Sequence, residues 1–378
     1  MARADFDAFL LASFGGPEGP DEVLPFLEHV TRGRGIPPDR LVEVGAHYYR
    51  FGGISPINQQ CRELRAAIGA DFAANGVDLP VYWGNRHAPP LFTDTLTTMA
   101  ADGIRSALVL LTSAYPSYSG CRAYREDLAA ARAEVGPIAP RLHRLPHYFD
   151  RAGFVAPFVD ATVRAIQQLP ESARQSAPLV FTTHSIPVAM AERSGPNGGA
   201  YVRAHEQVAA QVAAAVAVRA GVRLGPRPAE RPGAWQQERP GEGRAERSHR
   251  LVYQSRSGAP GQPWLEPDVG DYLDELAAAG ATGAVLVPIG FISDHMEVLF
   301  DLDVQARERA DRLGLAVARA STPGTDPRFV AMIRELVREI QEQQAGPALC
   351  PSWCCPNPRG ELPTIGAQSG STATGARQ

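Results

Sequence analysis

The feature that most constrains this chain is a set of short, continuously apolar runs, at residues 8–12, 81–83, 107–111, 179–181, 251–253 and 284–287. A strand with one wet face alternates apolar and polar residues, whereas an unbroken apolar run has to be covered on both faces, as in a parallel sheet between helices. The stretches between the runs, at 59–75, 122–135, 155–168, 200–220 and 269–279, carry apolar residues at helical spacing. Strand and helix in alternation require right-handed crossovers, so the pattern predicts a doubly wound α/β fold. With 378 residues the chain exceeds one core. Two Rossmann-like domains are expected, at 1–160 and 161–345, each a parallel sheet flanked by helices, with the active-site cleft between them. A helix at 327–344 should close the fold, ahead of a Cys-containing tail at 346–378.

Residues 225–249 break the pattern. They are rich in Pro, Gly, Arg and Glu with almost no apolar side chain, and read as a disordered surface insertion. The tail beyond Cys355 is equally polar and is assigned no structure. A formal net charge of -4 argues against a broad nucleic-acid footprint. No apolar run reaches the roughly 18 uncharged residues a membrane helix needs, and residues 2–7 are charged rather than signal-like. A cytoplasmic protein with no integral membrane segment is therefore expected.

Five cysteines in a chain this long make no disulfide framework. Cys350, Cys354 and Cys355 crowd together beyond the last helix, where no core calls for buried thiols. In a reducing compartment that crowding suggests metal ligation.

In open α/β sheets, ligands bind beyond the carboxyl ends of the strands. Here those ends read Ser13-Phe14-Gly15-Gly16-Pro17, Asn85-Arg86-His87, Thr112-Ser113-Ala114-Tyr115, Thr183-His184-Ser185-Ile186-Pro187, Gln254-Ser255-Arg256 and Ser293-Asp294-His295-Met296-Glu297. Alone, Ser13 or Ser293 would be a helix cap. Together the ends bring His87, His184, His295, Glu297 and several hydroxyls toward one cleft. Gly15-Gly16 lacks both the dinucleotide fingerprint and a phosphate-loop lysine, which argues against a nucleotide cofactor.

The segments Thr183-His184-Ser185-Ile186-Pro187 and Gly290-Phe291-Ile292-Ser293-Asp294-His295-Met296-Glu297-Val298-Leu299-Phe300-Asp301 resemble the two active-site signatures of the ferrochelatase family. Further matches are Ser13 to Pro17, Gly52-Gly53-Ile54-Ser55-Pro56, and Tyr253-Gln254-Ser255-Arg256 followed by Trp264-Leu265. In order, they span residues 9–340 apart from the insertion.

The resemblance implies insertion of ferrous iron into a porphyrin, with coproporphyrin III preferred and protoporphyrin IX as the alternative. It implies that His184 and Glu297 face each other across the porphyrin plane and carry the reaction. Chemistry agrees that such a pair is needed: two pyrrole N–H protons must leave while iron loses water, which suits a neutral imidazole and a carboxylate. Fe(II) accepts both ligand types. Which residue meets iron first and which takes protons stays open. Glu297, Asp301 and Gln305 are spaced by four, so on an α-helix they lie about 6 Å apart along one face, a candidate iron path. Relatives often carry an acid at the third position. Asp303 should point elsewhere, into solvent.

By the same resemblance Tyr48 and Ser55 meet the propionates, with His47 where some relatives have Arg and Arg50 as the compensating cation. Phe14 stands where some relatives place a Tyr that ligates product iron. His87, Tyr115, Tyr118 and Trp264 are expected around the macrocycle. Similar proteins of high-GC bacteria hold a two-iron two-sulfur (2Fe-2S) cluster on three C-terminal cysteines and one internal cysteine, which maps onto Cys350, Cys354, Cys355 and Cys121. Zinc is the alternative occupant. Cys61 is expected to be a packed free thiol. Partners would be the porphyrin, ferrous iron and, transiently, porphyrin-donating and coproheme-accepting enzymes. Two other readings stay open, a chelatase for another tetrapyrrole and metal, and a haem-binding protein. The second needs an axial ligand but no opposing carboxylate.

Overall fold

Each apolar run becomes a strand, and four of the six end in a polar residue, Ser13, Asn85, His184 and Gln254. In the computed structural model, which describes residues 6–33, 35–220, 223–224, 246–256, 261–342, 350–351 and 353–366, two sheets form. The first holds β1 (Ala8–Ser13), β2 (Val81–Asn85), β3 (Ser106–Leu111) and β4 (Arg141–Arg144), in the order β2-β1-β3-β4. The second holds β5 (Leu179–His184), β6 (His249–Gln254), β7 (Gly283–Val287) and β8 (Ala316–Arg319), in the order β8-β7-β5-β6. Every pairing within them is parallel. Counted from its own first strand, each sheet has the same order, so the topological switch falls beside β1 in one and beside β5 in the other. Those strands end in Ser13 and His184.

The strands not foreseen are β4 and β8, both at sheet edges. An edge strand is covered on fewer sides, and β4 buries only Leu142 and Arg144. Its charged residues therefore hide it from an apolar-run reading.

The helices are α1 (Val23–Thr31), α2 (Pro38–Tyr49), α3 (Ile57–Ala74), α4 (Phe92–Ala101), α5 (Ala123–Val135), α6 (Ala152–Gln168), α7 (Ala200–Ala220), α8 (Val269–Ala278) and α9 (Pro327–Glu342). One continuous core joins both sheets, running from Phe9 and Leu108 through Phe154, Phe158 and Phe329 to Phe181 and Val285. Separate cores cover the outer faces, around Leu10, Val109 and Leu96, and around Val252, Leu273 and Leu286. Because α6 packs on β7 and β8, the passage between sheets runs through 145–151, ahead of residue 160. Helix α9 returns to α3, where Arg334 meets Asp71 at 3.0 Å. No described helix is long and apolar enough to cross a membrane.

Residues 225–245 of the expected insertion lie outside the described residues. Glu246–Arg247 pairs in parallel with Arg223–Leu224, and His249 already belongs to β6. The tail corrects the expectation of no structure, because residues 353–366 dock on the first sheet's side. Arg125, buried at 2% exposure, donates from Nε to the Ile365 carbonyl at 2.9 Å, and the Ile365 amide donates to the Arg125 carbonyl at 3.1 Å. Arg122 Nη1 donates to the Cys354 carbonyl at 3.3 Å, and Asn357 Nδ2 donates to Glu126 at 2.9 Å. Buried guanidiniums satisfy the tail's carbonyls, so the segment settles without an apolar run of its own.

Candidate active site

His184 is the last residue of β5, where the chain leaves the sheet. The Ser185 amide donates to the Gln254 carbonyl at 2.7 Å, and the Ser185 hydroxyl donates to the Leu265 carbonyl at 2.8 Å. Glu297 lies in the short helical turn Met296–Val298, capped by His295, whose Nδ1 accepts from the Glu297 amide at 3.2 Å. His295 is therefore a neutral ring with its proton on Nε2, and burial lowers its pKa further.

The two expected catalytic side chains meet directly, His184 Nε2 lying 3.4 Å from Glu297 Oε1. A macrocycle lying between them, as the resemblance implies, would require that contact to open. An aromatic plane between two groups needs about twice the ~3.5–4.0 Å contact distance of carbon atoms, roughly 7 Å or more. His184 Nδ1 donates to the Ser185 carbonyl, so the contact with Glu297 needs a second ring proton. Burial opposes that charge, but the Glu297 carboxylate outweighs burial and raises His184 to about 9. Burial likewise favours neutral Glu297, and His184 overrides it, holding the carboxyl down at about 2. The resting pair is imidazolium and carboxylate.

Asp301 follows on a π-helical stretch, Leu299–Ala306, so Glu297, Asp301 and Gln305 do not form a straight α-helical row. Asp301 still reaches the site, accepting from the Ser255 hydroxyl and, at 3.4 Å, from Gln254 Nε2. Gln254 Nε2 also donates to the Glu297 carbonyl at 2.9 Å. Burial first, then Glu297, raise Asp301 to about 7 against the Ser255 bond. Beyond it a cavity of about 380 Å³ is lined by Gln254, Ser255, Asp268, Asp301, Gln305 and Glu308, among others. Asp303 is not solvated as expected: it pairs in two bonds with Arg319, at 2.7 and 2.8 Å, because Arg319 on β8 lies beside this helix.

Facing this polar wall is an aromatic one. Phe14 packs edge-on to His87 at 4.5 Å and to Phe26 at 6.3 Å, and Phe26 to Tyr48 at 6.0 Å. Burial, with Glu297 and Asp301 next, raises the Tyr48 hydroxyl well above its usual range, which places it near both carboxylates. Helices α1 and α2, which carry Phe26 and Tyr48, were not foreseen. They bury only a small satellite core of Val23, Phe26, Leu27, Leu41 and Ala88. Trp264 is half-buried and bridges to Pro187, alongside the His184 loop. Ser55 is buried, its amide bonded to the Pro17 carbonyl at 2.8 Å.

Three expected contacts are placed differently. Tyr115 is interior rather than lining, stacked on His205 at 3.5 Å with its hydroxyl donating to the Ile289 carbonyl at 2.9 Å. His47 stacks on Phe300 at 3.7 Å. Arg50, offered as a propionate cation, reaches Glu308 at 2.9 Å, since the end of α2 faces the helical segment beyond Asp301. Tyr201 and His205, bonded to Thr183 beneath His184, escaped the sequence reading. Their signal was available, as Tyr201 and His205 are two polar rings one helical turn apart in an Ala/Val-rich helix.

The cysteines form a second constellation. Cys121 lies in the π-helical turn Tyr118–Arg122 after β3, and Cys350 contacts both Cys121 and Cys354. Cys354 and Cys355 Sγ are 3.8 Å apart. Arg144 Nη2 donates to Cys350 Sγ at 3.3 Å, and the Gly195 amide donates to Cys355 Sγ at 3.1 Å. Among the described residues no group of three or more His, Cys, Asp or Glu side chains is set around one metal ion. Cys61 is apart, donating to Ser13 Oγ at 3.1 Å, and burial pushes its thiol up to about 11.

The doubly wound α/β fold thus gathers an imidazole and two carboxylates beside an aromatic wall. The sequence model of the ferrochelatase family matches residues 6–341, and the chain belongs to that family. It is an enzyme, a metal chelatase of the lyase class. Three similar proteins are coproporphyrin III ferrochelatases. That of Streptomyces coelicolor is 51% identical over 378 residues, covering 94% of this chain and 95% of its own length. That of Streptomyces griseus is 49% identical over 388 residues, covering 97% of each. That of Frankia alni is 50% identical over 365 residues, covering 93% and 87%.

Proposed function

We propose that this enzyme inserts ferrous iron into coproporphyrin III in the cytoplasm, with His184 and Glu297 acting together from one face of the macrocycle. The observation that carries the reading is the 3.4 Å contact of His184 Nε2 with Glu297 Oε1. At rest a proton occupies that contact. Ferrous iron, passing the Asp301 chamber, exchanges water for the Glu297 carboxylate, and its charge beside the imidazolium drives that proton out to solvent. Nε2 is then bare and positioned to accept a pyrrole proton. Metallation releases two protons. Asp301, titrating at about 7, suits the role of passing them onward to solvent. Phe14, Tyr48, His87 and Trp264 hold the ring, and Ser55 shapes the Gly16 turn beside it.

Support for the tetra-acid substrate comes from relatives near 50% identity that carry that activity in their names. Anaerobic turnover with coproporphyrin III and with protoporphyrin IX tests it. A kcat/KM at least tenfold higher for coproporphyrin III is expected, and the reverse order would overturn the assignment. The product would pass to a coproheme-consuming enzyme by transient contact.

We infer that Cys121, Cys350, Cys354 and Cys355 would hold a 2Fe-2S cluster. Their sulfurs adjoin one another, and Arg144 and the Gly195 amide donate to them as such thiolates require. Such a cluster, when bound, supplies a one-electron centre. The four cysteines that hold it would tie residues 350–355 to the body of the first domain. Iron and labile-sulfide analysis of anaerobically purified protein should give about two of each per chain. Stoichiometric zinc and no visible absorption would replace the cluster with a structural zinc site.

A further inference from the structure

Beneath the catalytic pair runs a buried polar chain. His205 Nδ1 donates to the Tyr201 carbonyl at 2.7 Å, which leaves Nε2 bare to accept from the Thr183 hydroxyl at 2.9 Å. The Tyr201 hydroxyl donates to the His184 carbonyl at 2.7 Å and lies 3.0 Å from Thr183 Oγ1. Thr183 and His205 are each 1% exposed and Tyr201 is 6% exposed. Burial keeps His205 neutral, lowering it to about 3. The amide of Tyr201 donates to the Ser194 hydroxyl at 2.7 Å, so the helix start is fixed as well.

We propose that Tyr201 and Thr183 are positioning residues for iron insertion, registering His184 and Glu297 on one buried strut. The inference rests on the reading of those two residues as the reacting pair. The bond to the His184 carbonyl orients the 184–185 peptide, and with it the Ser185 carbonyl that receives Nδ1–H and sets the ring's direction. On the other side Thr183 lies against Gly290, where a Cβ would come 2.2 Å from Thr183 Oγ1. The Gly290 amide donates to the Thr182 carbonyl at 3.2 Å. Gly290 opens the segment that ends in Glu297. Tyr115 locks the same place, its ring on His205 and its hydroxyl on the Ile289 carbonyl. Both members of the pair are thus referenced to Thr183, and loss of the strut would open their contact without touching the macrocycle.

The test separates positioning from mere stability. Tyr201→Phe removes the hydroxyl and keeps the ring, and Thr183→Val removes the other hydroxyl and keeps the shape. Each should lower kcat roughly 10–100-fold, the usual effect of losing a partner behind a ligand, while KM for coproporphyrin III changes less than twofold. Thr183→Ser retains the hydroxyl and should restore most of the turnover, and the Thr183 pair decides the matter if Tyr201→Phe does not fold. A lower melting temperature with kcat unchanged, or a rise in KM with kcat unchanged, would overturn the proposal. His184→Ala is run alongside. If it keeps activity, the catalytic-pair reading falls and this inference with it, whereas an inactive His184→Ala beside a fully active Tyr201→Phe removes the strut alone.

Discussion

Changing Glu297 to Gln leaves the shape of the site and deletes one charge, and its first consequence should be read on His184. With the carboxylate present His184 titrates at about 9, although burial works against the charged ring. Without it, burial remains the largest influence, opposed only by the Ser185 carbonyl and Asp301, and the ring's pKa should fall. At pH 7.5 the imidazolium fraction should then drop from its wild-type value of about 97%. The stability difference between the two proteins has a definite window. His184 is raised in the fold, so its contribution is complete below pH 6.5 and lost as pH climbs through 9. Glu297 is depressed from 4.5, so its contribution is complete above pH 4.5 and lost as pH falls toward 2. The difference should peak between pH 4.5 and 6.5. Contact at 3.4 Å would be worth about 5 kcal/mol at an effective dielectric constant of 20, but the side chains are 30% and 43% exposed. Screening reduces this to about 1 kcal/mol, or about 2 °C in melting temperature. The assay is a histidine-labelled NMR titration, with His184→Ala identifying the resonance, and thermal melts at pH 6 and pH 9.5. A wild-type His184 titrating at or below 6.5, or a melting difference no smaller at pH 9.5 than at pH 6, would refute the coupling.

Other outcomes follow from the same geometry. Asp301→Asn should abolish the acidic limb that Asp301, titrating at about 7, imposes on kcat/KM for iron; a limb that persists near pH 7 places the proton path elsewhere. Asp303→Ala strips two bonds from Arg319 and should cost about 1–3 kcal/mol of stability with kcat within twofold, measured by denaturant melts beside turnover. Serine at Cys121, Cys350, Cys354 or Cys355 should each bleach the anaerobic protein and lower its melting temperature, whereas Cys61→Ser should do neither. Visible absorption surviving in any of the four would remove that ligand.

The central strands were legible because parallel strands covered on both faces leave no polar alternation, and their carboxyl ends announced a site because parallel topology gathers them. Edge strands β4 and β8 were not, since charge is tolerated where one neighbour is missing. The π-helix of Leu299–Ala306 was read as α-helix, because one extra residue per turn leaves no trace over so short a stretch. Roles for His184 and Glu297 came from motif order, which carries no distances, so their direct contact emerged only from the fold. Docking of the tail depends on Arg122 and Arg125 turning inward to capture carbonyls, a choice of direction that composition does not encode. Tyr115 was misjudged for a related reason: an aromatic ring after a strand serves equally as wall or as strut.

The most direct test of the account is anaerobic single turnover, following the porphyrin absorption band after ferrous iron meets enzyme preloaded with coproporphyrin III. Wild-type protein should convert the bound porphyrin to coproheme. His184→Ala and Glu297→Gln should bind the porphyrin with nearly unchanged affinity, measured by fluorescence, and leave it metal-free over the same interval. Metallation by either variant at more than about a tenth of the wild-type rate, a barrier increase of less than ~1.4 kcal/mol, would contradict the assignment of that residue to the reaction.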